Sequence, residues 1–536
     1  LTQLGALTTA QVQGLTATQL NGVSETSLNA LPVARLSAIQ VSRLNATTVD
    51  SLSTTQAQAL TSVQIKSLST TGLDALSADE LQGWSATQFG ALTAKQLGSL
   101  TTTALEDFSP TQLGALTTTQ VQGLTVTQLN DMPAASLNAL AVTKLSTAQV
   151  KGLNATAVEN LTATQVQALS TAQIKALSTT ALEAFGSTEL QSWSTTQIGA
   201  LVATQLGGLT TTALEDFSLT QLGALTATQV QGLTRTQLND MPAASLNALA
   251  IANLSATQIQ GLDATAVESL NATQVQELTA AQIKVLSTSG IEALSSTDLQ
   301  SWSSTQLGAL AATQLGGLST TALEDFATAQ LGTLTTTQVQ GLTATQLNGV
   351  PAASLNALSI ANLSTAQMAG LTPTALGGLT ATQVGALSTI QIGALSAAGV
   401  EALISTVLQA WSTTQLGALA ATQLGGLTTT ALDSFSTTQL GALTTTQVQG
   451  LVATQLNGVS ATSLNALAVP SLSTTQMAGL SATAVLDFTT TQVAALSTMQ
   501  LGTLSTAGIE ALMSTMLQAW NTTQLGALAA TQIGGL

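Results

Sequence analysis

Paired carboxylates recur along this 536-residue chain and are the residues most suited to metal chemistry. The pairs are Glu106-Asp107, Glu215-Asp216 and Glu324-Asp325. Calcium accepts such oxygen ligands, but its sites gather several carboxylates and carbonyls in one loop. Neither an EF-hand loop nor the Gly- and Asp-rich nonapeptide of calcium-binding β-rolls is present, and the fourth copy weakens to Asp433-Ser434. We interpret the pairs as a solvated acidic face and predict no metal site.

Five tryptophans are the second group with a chemical use, since indole rings stack on sugars. They are Trp84, Trp193, Trp302, Trp411 and Trp520, and they recur at one constant interval (193 − 84 = 109). They occupy a position that leucine fills elsewhere, and an aromatic at core spacing is usually part of the core. We therefore predict that they fill the core, and the sequence leaves any glycan partner undetermined.

The composition excludes most catalytic systems. Histidine, cysteine and tyrosine are absent, so His- or Cys-ligated metals, Ser-His-Asp and Cys-His nucleophiles and disulfides are excluded. Charged residues make up 6% of the chain, and the net charge is 9 − 25 = −16. Such an acidic, aromatic-poor chain lacks the basic surface and stacking rings that nucleic-acid binding needs. We expect neither an enzyme nor a cofactor.

We expect neither a signal peptide nor a membrane span from this sequence. Ser, Thr or Gln interrupts every apolar run well before the roughly 18 residues that a membrane-spanning helix needs, so no membrane span is expected. It opens at Leu1 without a basic stretch followed by an apolar one. The expectation is a processed protein or a segment of something longer.

An eight-residue repeat, here called the octad, organises the chain. Leu116-Thr-Thr-Thr-Gln-Val-Gln-Gly is one example. Position 1 is large and apolar, position 2 is Ser or Thr, position 5 is Gln, and position 6 is Leu, Val or Ile. Thirteen octads and one five-residue unit make a super-repeat, since 13 × 8 + 5 = 109. We predict one continuous solenoid over 1–536, with super-repeats at approximately 1–108, 109–217, 218–326, 327–435 and 436–536.

The octad pattern predicts a short helix. Ser/Thr at position 2 and Gln at position 5 form a capping box, and the apolar positions 1 and 6 suit a hydrophobic staple. Prolines avoid positions 4 to 8 of full octads, where one would break a helix. A β-solenoid is the alternative, since Thr-rich, weakly charged sequence suits strands. Leu, Ala and Gln favour the helix.

Helices of six or seven residues are too short to persist alone, so each must pack on neighbouring octads around a thin core of positions 1 and 6. Positions 3, 4 and 7 should face outward. Where position 5 is Gly, position 7 is often acidic, as in Gly72 with Asp74, and we expect that carboxylate to contact an adjacent rung. Whether one super-repeat makes one superhelical turn stays open.

A structural function follows from the predicted surface. A hydrated, weakly charged surface repeated at fixed intervals favours open self-assembly, so we expect a self-associating extracellular fibre, sheath or matrix protein. The alternative is a spacer stalk of a giant cell-surface adhesin whose binding domain lies elsewhere. The motif Leu-Ser/Thr-x-x-Gln-Leu-x-Ala, as in Leu161-Thr-Ala-Thr-Gln-Val-Gln-Ala, resembles Leu/Thr/Gln-rich tracts of very large secreted or surface-exposed bacterial proteins. The resemblance implies an adhesive or structural role and no functional residue.

Overall fold

The computed structural model of the chain describes residues 1–403, 411–512 and 514–534. Throughout these ranges the regular structure is helical, and no strand occurs. The β-solenoid alternative is therefore wrong, and the prediction of an all-α repeat solenoid is confirmed. The chain divides into two compact units, Leu1–Gln274 and Val275–Leu536, each built in the same way. No helix in the described ranges combines the length and hydropathy that a membrane crossing requires.

One super-repeat, residues 109–217, shows the order of elements. Its α-helices are Pro110–Ala115, Thr118–Val121, Val126–Asp131, Ala134–Ala139, Thr147–Lys151, Ala155–Glu159, Ala163–Gln167, Thr171–Ala176, Thr179–Glu183, Ser187–Gln191, Thr195–Ile198, Ala203–Gly208 and Thr211–Glu215. Each lies within one octad, and the five-residue unit forms the 3₁₀-helix Val142–Lys144. The equivalent 3₁₀-helices are Val33–Arg35, Ile251–Asn253, Ile360–Asn362 and Val469–Ser471.

The capping box predicted from positions 2 and 5 forms in most octads. In the helix Thr118–Val121, the backbone N–H of Gln120 donates to the hydroxyl of Thr117 at 3.4 Å, and the N–H of Thr117 donates to Oε1 of Gln120 at 2.9 Å. The cap residue is extended, with φ −71° and ψ 162°. Because the chain turns a corner at positions 1 and 2, the helices have four to six residues rather than the expected six or seven.

The prolines lie where a helix tolerates them. Pro110 and Pro373 are the first residues of their helices, and Pro133, Pro242 and Pro351 are N-cap residues. Neither place requires a backbone N–H inside the helix. The helical register derived from the sequence is thus the register of the structure.

Third neighbours along the chain pack against each other, so about three helices make one turn of the solenoid. The helix Ala482–Leu486, for example, packs on Thr506–Ala511. Positions 1 and 6 point inward and are buried in nearly every octad. This is the predicted thin core. A super-repeat of thirteen α-helices and one 3₁₀-helix therefore spans several turns of the solenoid.

Candidate functional site

The buried glutamines of position 5 are the most extensive polar feature of the molecule. Gln128 is 4% exposed. Its Oε1 accepts the backbone N–H of Thr125 at 2.7 Å, and its Nε2 donates to the backbone carbonyls of Leu97 and Leu100 at 2.8 and 2.7 Å. One side chain thus caps its own helix and ties it to the preceding turn. The same arrangement recurs in most octads, as at Gln237, Gln346 and Gln455.

The sequence pattern predicted only the capping half of this glutamine's role. A glutamate would satisfy a capping box equally well, yet glutamine predominates at position 5. An ionised carboxylate has no hydrogen to donate. The preference for glutamine over glutamate at position 5 was therefore a sign in the sequence that this side chain also donates to carbonyl groups. After the first turn, these glutamine amides form a structural network in the described ranges, because their side-chain nitrogens donate to carbonyls of the preceding turn and their oxygens accept the cap N–H.

The tryptophan column lies in the core. All five side chains are at most 6% exposed. The indole N–H of Trp193 donates to the carbonyl of Val166 at 3.1 Å, and that of Trp84 to the carbonyl of Ala57 at 2.9 Å. Where the indole N–H donates to this carbonyl, the glutamine that follows the tryptophan donates to a different one. Gln197, for example, donates to the carbonyl of Gln167. Rings held in this way cannot stack on a sugar, in agreement with the core interpretation.

We expect Trp193→Phe to destabilise its turn by about 2 kcal/mol. The substitution removes the donor to the buried Val166 carbonyl, which costs about 1 kcal/mol, and leaves a space beside it. Hydrogen exchange of the helix Ala163–Gln167 measures the effect. Unchanged exchange there would show that the indole bond contributes nothing to holding the turn.

The acidic pairs do not form a metal centre in the described ranges, where no group of three or more Asp, Glu, His or Cys could hold an ion. Glu106 is exposed at the end of the helix Thr102–Glu106. Burial raises the pKa of the neighbouring Asp107 carboxyl. The backbone carbonyl of Asp107 accepts the side-chain amide of Gln82 at 3.0 Å. The exposed Glu106 suits the solvated face predicted for the pairs, whereas Asp107 is partly buried.

Side chains at position 7 reach the next turn, as expected for Asp74. Its Oδ1 accepts the backbone N–H of Thr101 at 3.1 Å. The octad that contains Thr101 has Ala104 at position 5, so it lacks the glutamine that would accept this N–H. The acceptor–donor pairs of this kind are Asn21 with Asn45, Asp74 with Thr101, Asn130 with Asn154, Glu183 with Thr210, Asn239 with Asp263, Glu292 with Ser319, Asn348 with Thr372, Glu401 with Thr428, Asp433 with Ser460, and Asn457 with Ser481.

Proline changes this arrangement in a way the sequence alone did not reveal. Three glutamates at position 7 each lie 27 residues before a proline (133 − 106 = 27): Glu106 before Pro133, Glu215 before Pro242 and Glu324 before Pro351. Asp433 lies at the same distance before Ser460. Proline has no N–H to donate. Ser460 does, and it donates its backbone N–H to Asp433 at 3.0 Å and its hydroxyl at 2.9 Å. Burial pushes the pKa of Asp433 upward, but hydrogen bonds from Ser463 and Ser460 outweigh it and lower the pKa.

The outer surface is formed largely by positions 2, 3, 4 and 7, and position 8 is partly exposed in many octads. Thr119 and Thr228, both at position 4, are exposed. Large exposed apolar side chains are scattered, apart from Ile39 and Val63, which lie in octads that pack together. An open groove of about 700 Å³ beside Lys66 is lined by hydroxyl groups, backbone and small side chains. The surface offers repeated hydroxyls and amides, and in the described ranges it shows no arrangement suited to acid–base or nucleophilic chemistry.

A family model for the ALTTAQ repeat matches residues 142–179 and 360–397. The starts of the two matches are separated by two super-repeats (360 − 142 = 218, or 2 × 109). No curated protein matches the chain. Among solved structures, a homology model of the full-length AP-3 complex in an intermediate open conformation is similar at 12% identity, covering 96% of this chain and 84% of that one. Its TM-score of 0.13 carries no argument. Of these comparisons, the family model supports a repeat protein.

Proposed function

We propose that this chain is a structural protein that associates with further copies of itself into a fibre, sheath or matrix outside the cell. The observation that carries the proposal is the repeated outer surface, in which exposed Ser, Thr, Gln and small residues return with every turn. A patch repeated at fixed intervals on one chain can meet the same patch on another chain at many points, and such heterologous contacts build open assemblies.

The weak charge of the surface supports the same proposal. A net charge of −16 is spread over 536 residues, and charge repulsion is a main protection against association. Hydroxyl and amide groups can form hydrogen bonds between chains without ion pairs. Assembly should therefore depend little on salt concentration and on pH.

The proposal includes no catalytic activity and no cofactor. The chain has no histidine or cysteine, and its tryptophans and most position-5 glutamines are engaged in packing. An extracellular or cell-surface location agrees with the resemblance of the octad to tracts of large secreted bacterial proteins. Self-association is the expected partnership.

A spacer stalk of a cell-surface adhesin is the second candidate. The observation that favours it is that helices pack on their third neighbours, so adding octads lengthens each unit without changing its packing. In that role the chain sets a distance, and a separate domain binds the target.

Electron microscopy and sedimentation of the purified chain over a range of concentrations separate the two candidates. Ordered filaments that form at low and high salt support the fibre, and isolated monomeric rods at high concentration would contradict it. We expect the double variant Thr119→Glu, Thr228→Glu to assemble more weakly, because it places charges on the outer surface. The uncharged control, Thr119→Asn with Thr228→Asn, should assemble like the wild-type chain.

A further inference from the structure

Near-identical octads create a problem of register that the core does not solve. If one turn slipped by a whole octad relative to the next, leucine at position 1 would again meet leucine, and glutamine at position 5 would again find two carbonyls. The apolar pattern therefore accepts the slipped arrangement almost as well as the native one. In coiled coils, whose packing is similarly degenerate, a single polar side chain that only the correct register satisfies can fix the register.

We propose that the position-7 acceptors paired with glutamine-free octads fix the register of the turns. These side chains, here called the register pins, are Asn21, Asp74, Asn130, Glu183, Asn239, Glu292, Asn348, Glu401, Asp433 and Asn457. Each accepts a cap N–H whose own octad supplies no glutamine. In a slipped register the pin would lie opposite a cap whose backbone N–H already donates to a glutamine. The cap N–H of the glutamine-free octad would then have no acceptor.

Two other asparagines show that a position-7 side chain and a glutamine compete for the same N–H. Asn29 and Asn247 accept the N–H of Ser53 and Asn271 at 2.8 and 3.0 Å, although both of those octads keep their glutamine. The glutamine bonds to the same N–H groups lengthen to 3.3 and 3.4 Å. The hydrogen bond to a position-7 acceptor therefore contributes most to stability where the octad of the cap has no glutamine at position 5.

The spacing of the pins supports this role. Pins such as Asp74 and Glu292 reach 27 residues forward, whereas Asn130 and Asn348, whose bonds span a five-residue unit, reach 24. The difference of three residues is the difference between an octad and a five-residue unit. The pin bonds and the five-residue units are therefore consistent with the same alignment of neighbouring turns.

The asparagine pins each form two hydrogen bonds with the next turn, one as acceptor and one as donor. Asn348 accepts the N–H of Thr372 at 2.7 Å and donates its Nδ2 to the carbonyl of Gly370 at 2.8 Å. Asn457 makes the equivalent pair of bonds with Ser481 and Gly479. A donor and an acceptor fixed on the same turn specify its position more strictly than one bond does.

The chain itself contains the matched comparison. Glu324 precedes Pro351 by the same interval as Asp433 precedes Ser460 (351 − 324 = 460 − 433 = 27). If pins act through the cap N–H, the carboxylate opposite proline contributes nothing and the one opposite serine contributes to stability. Ser460 has φ −61° and ψ 152°, and Val459 before it is extended. Proline fits both conformations, so Ser460→Pro should fold.

A double-mutant cycle on the full chain tests the action of one pin. Hydrogen-exchange protection of the helix Ala461–Ala466 is measured in Asp433→Ala, Ser460→Pro and the double variant. We expect Asp433→Ala to lower protection about tenfold, because it removes the hydrogen bonds from both the N–H and the hydroxyl of Ser460. In the Ser460→Pro background, which lacks both donors, it should change protection less than about twofold. Glu324→Ala, the matched control, should leave the helix Ala352–Ala357 unchanged. An equal loss in both Ser460 backgrounds would overturn the proposal.

A combined variant tests the register itself. Replacing Glu292, Asn348, Glu401, Asp433 and Asn457 by alanine removes the pins of the second unit while keeping its core. We expect bimodal isotope patterns in hydrogen-exchange mass spectra of peptides from 290–400, because turns in different registers exchange as separate populations. A single population with uniformly reduced protection would show that the pins add stability only, and would overturn their role in register.

Discussion

Gly341→Ala should destabilise its region by about 3 kcal/mol, the largest effect we expect from adding one methyl group. A Cβ at residue 341 would lie 2.7 Å from the Cα of Ala312 on the preceding turn, and closer still to its carbonyl oxygen. Backbone cannot yield as a flexible side chain does. Chemical denaturation and hydrogen exchange of the helices Ala312–Gly317 and Thr336–Gly341 measure the loss.

Gly308 supplies the matched control in the same unit. It ends the helix Ser304–Gly308, and nothing lies within 4 Å of the Cβ that alanine would add. Because alanine favours helix over glycine by about 0.5–1 kcal/mol, Gly308→Ala should be neutral or slightly stabilising. Equal tolerance of alanine at Gly341 and Gly308 would show that the turns do not approach each other this closely.

The second large effect is expected from Gln338→Ala, at about 3 kcal/mol. Gln338 is 4% exposed, accepts the N–H of Thr335 at 3.0 Å, and donates to the carbonyls of Leu307 and Leu310 at 2.9 and 3.0 Å. Its removal leaves the N–H of Thr335 and the carbonyl of Leu310 without a partner, and the carbonyl of Leu307 keeps only the N–H of Leu310, at 3.2 Å. Together these losses cost about 3 kcal/mol. Hydrogen exchange across both turns measures it.

Gln340 on the same helix is the control for composition and helix propensity. It occupies position 7 and is exposed. Gln340→Ala should leave exchange protection within the error of the wild-type chain. If Gln338→Ala proved as harmless as Gln340→Ala, the glutamine network would be a by-product of packing and not its support.

The local structure could be predicted from the sequence because every octad repeats the same signals. Ser or Thr at position 2, Gln at position 5 and the placement of Pro110 and Pro373 determine where each helix begins. These signals act over three or four residues, so they operate without knowledge of the rest of the fold. The burial of Trp193 followed from its place in the leucine column.

The contacts between turns could not be predicted in the same way. An octad that resembles all others carries no information about which octad lies above it, so three helices per turn were not foreseen. The second half of each glutamine's bonding depends on carbonyls 25 to 31 residues earlier. The partner of Asp74 was expected only as an adjacent rung, because Thr101 is distinguished by the residue its octad lacks.

Circular dichroism of the full chain beside a synthetic single octad, Leu116–Gly123, tests the central claim that neighbouring turns hold up helices too short to persist alone. We predict a helical spectrum for the chain and an unordered spectrum for the peptide under the same conditions. A strand-type spectrum from the chain, or a helical one from the isolated octad, would contradict that claim.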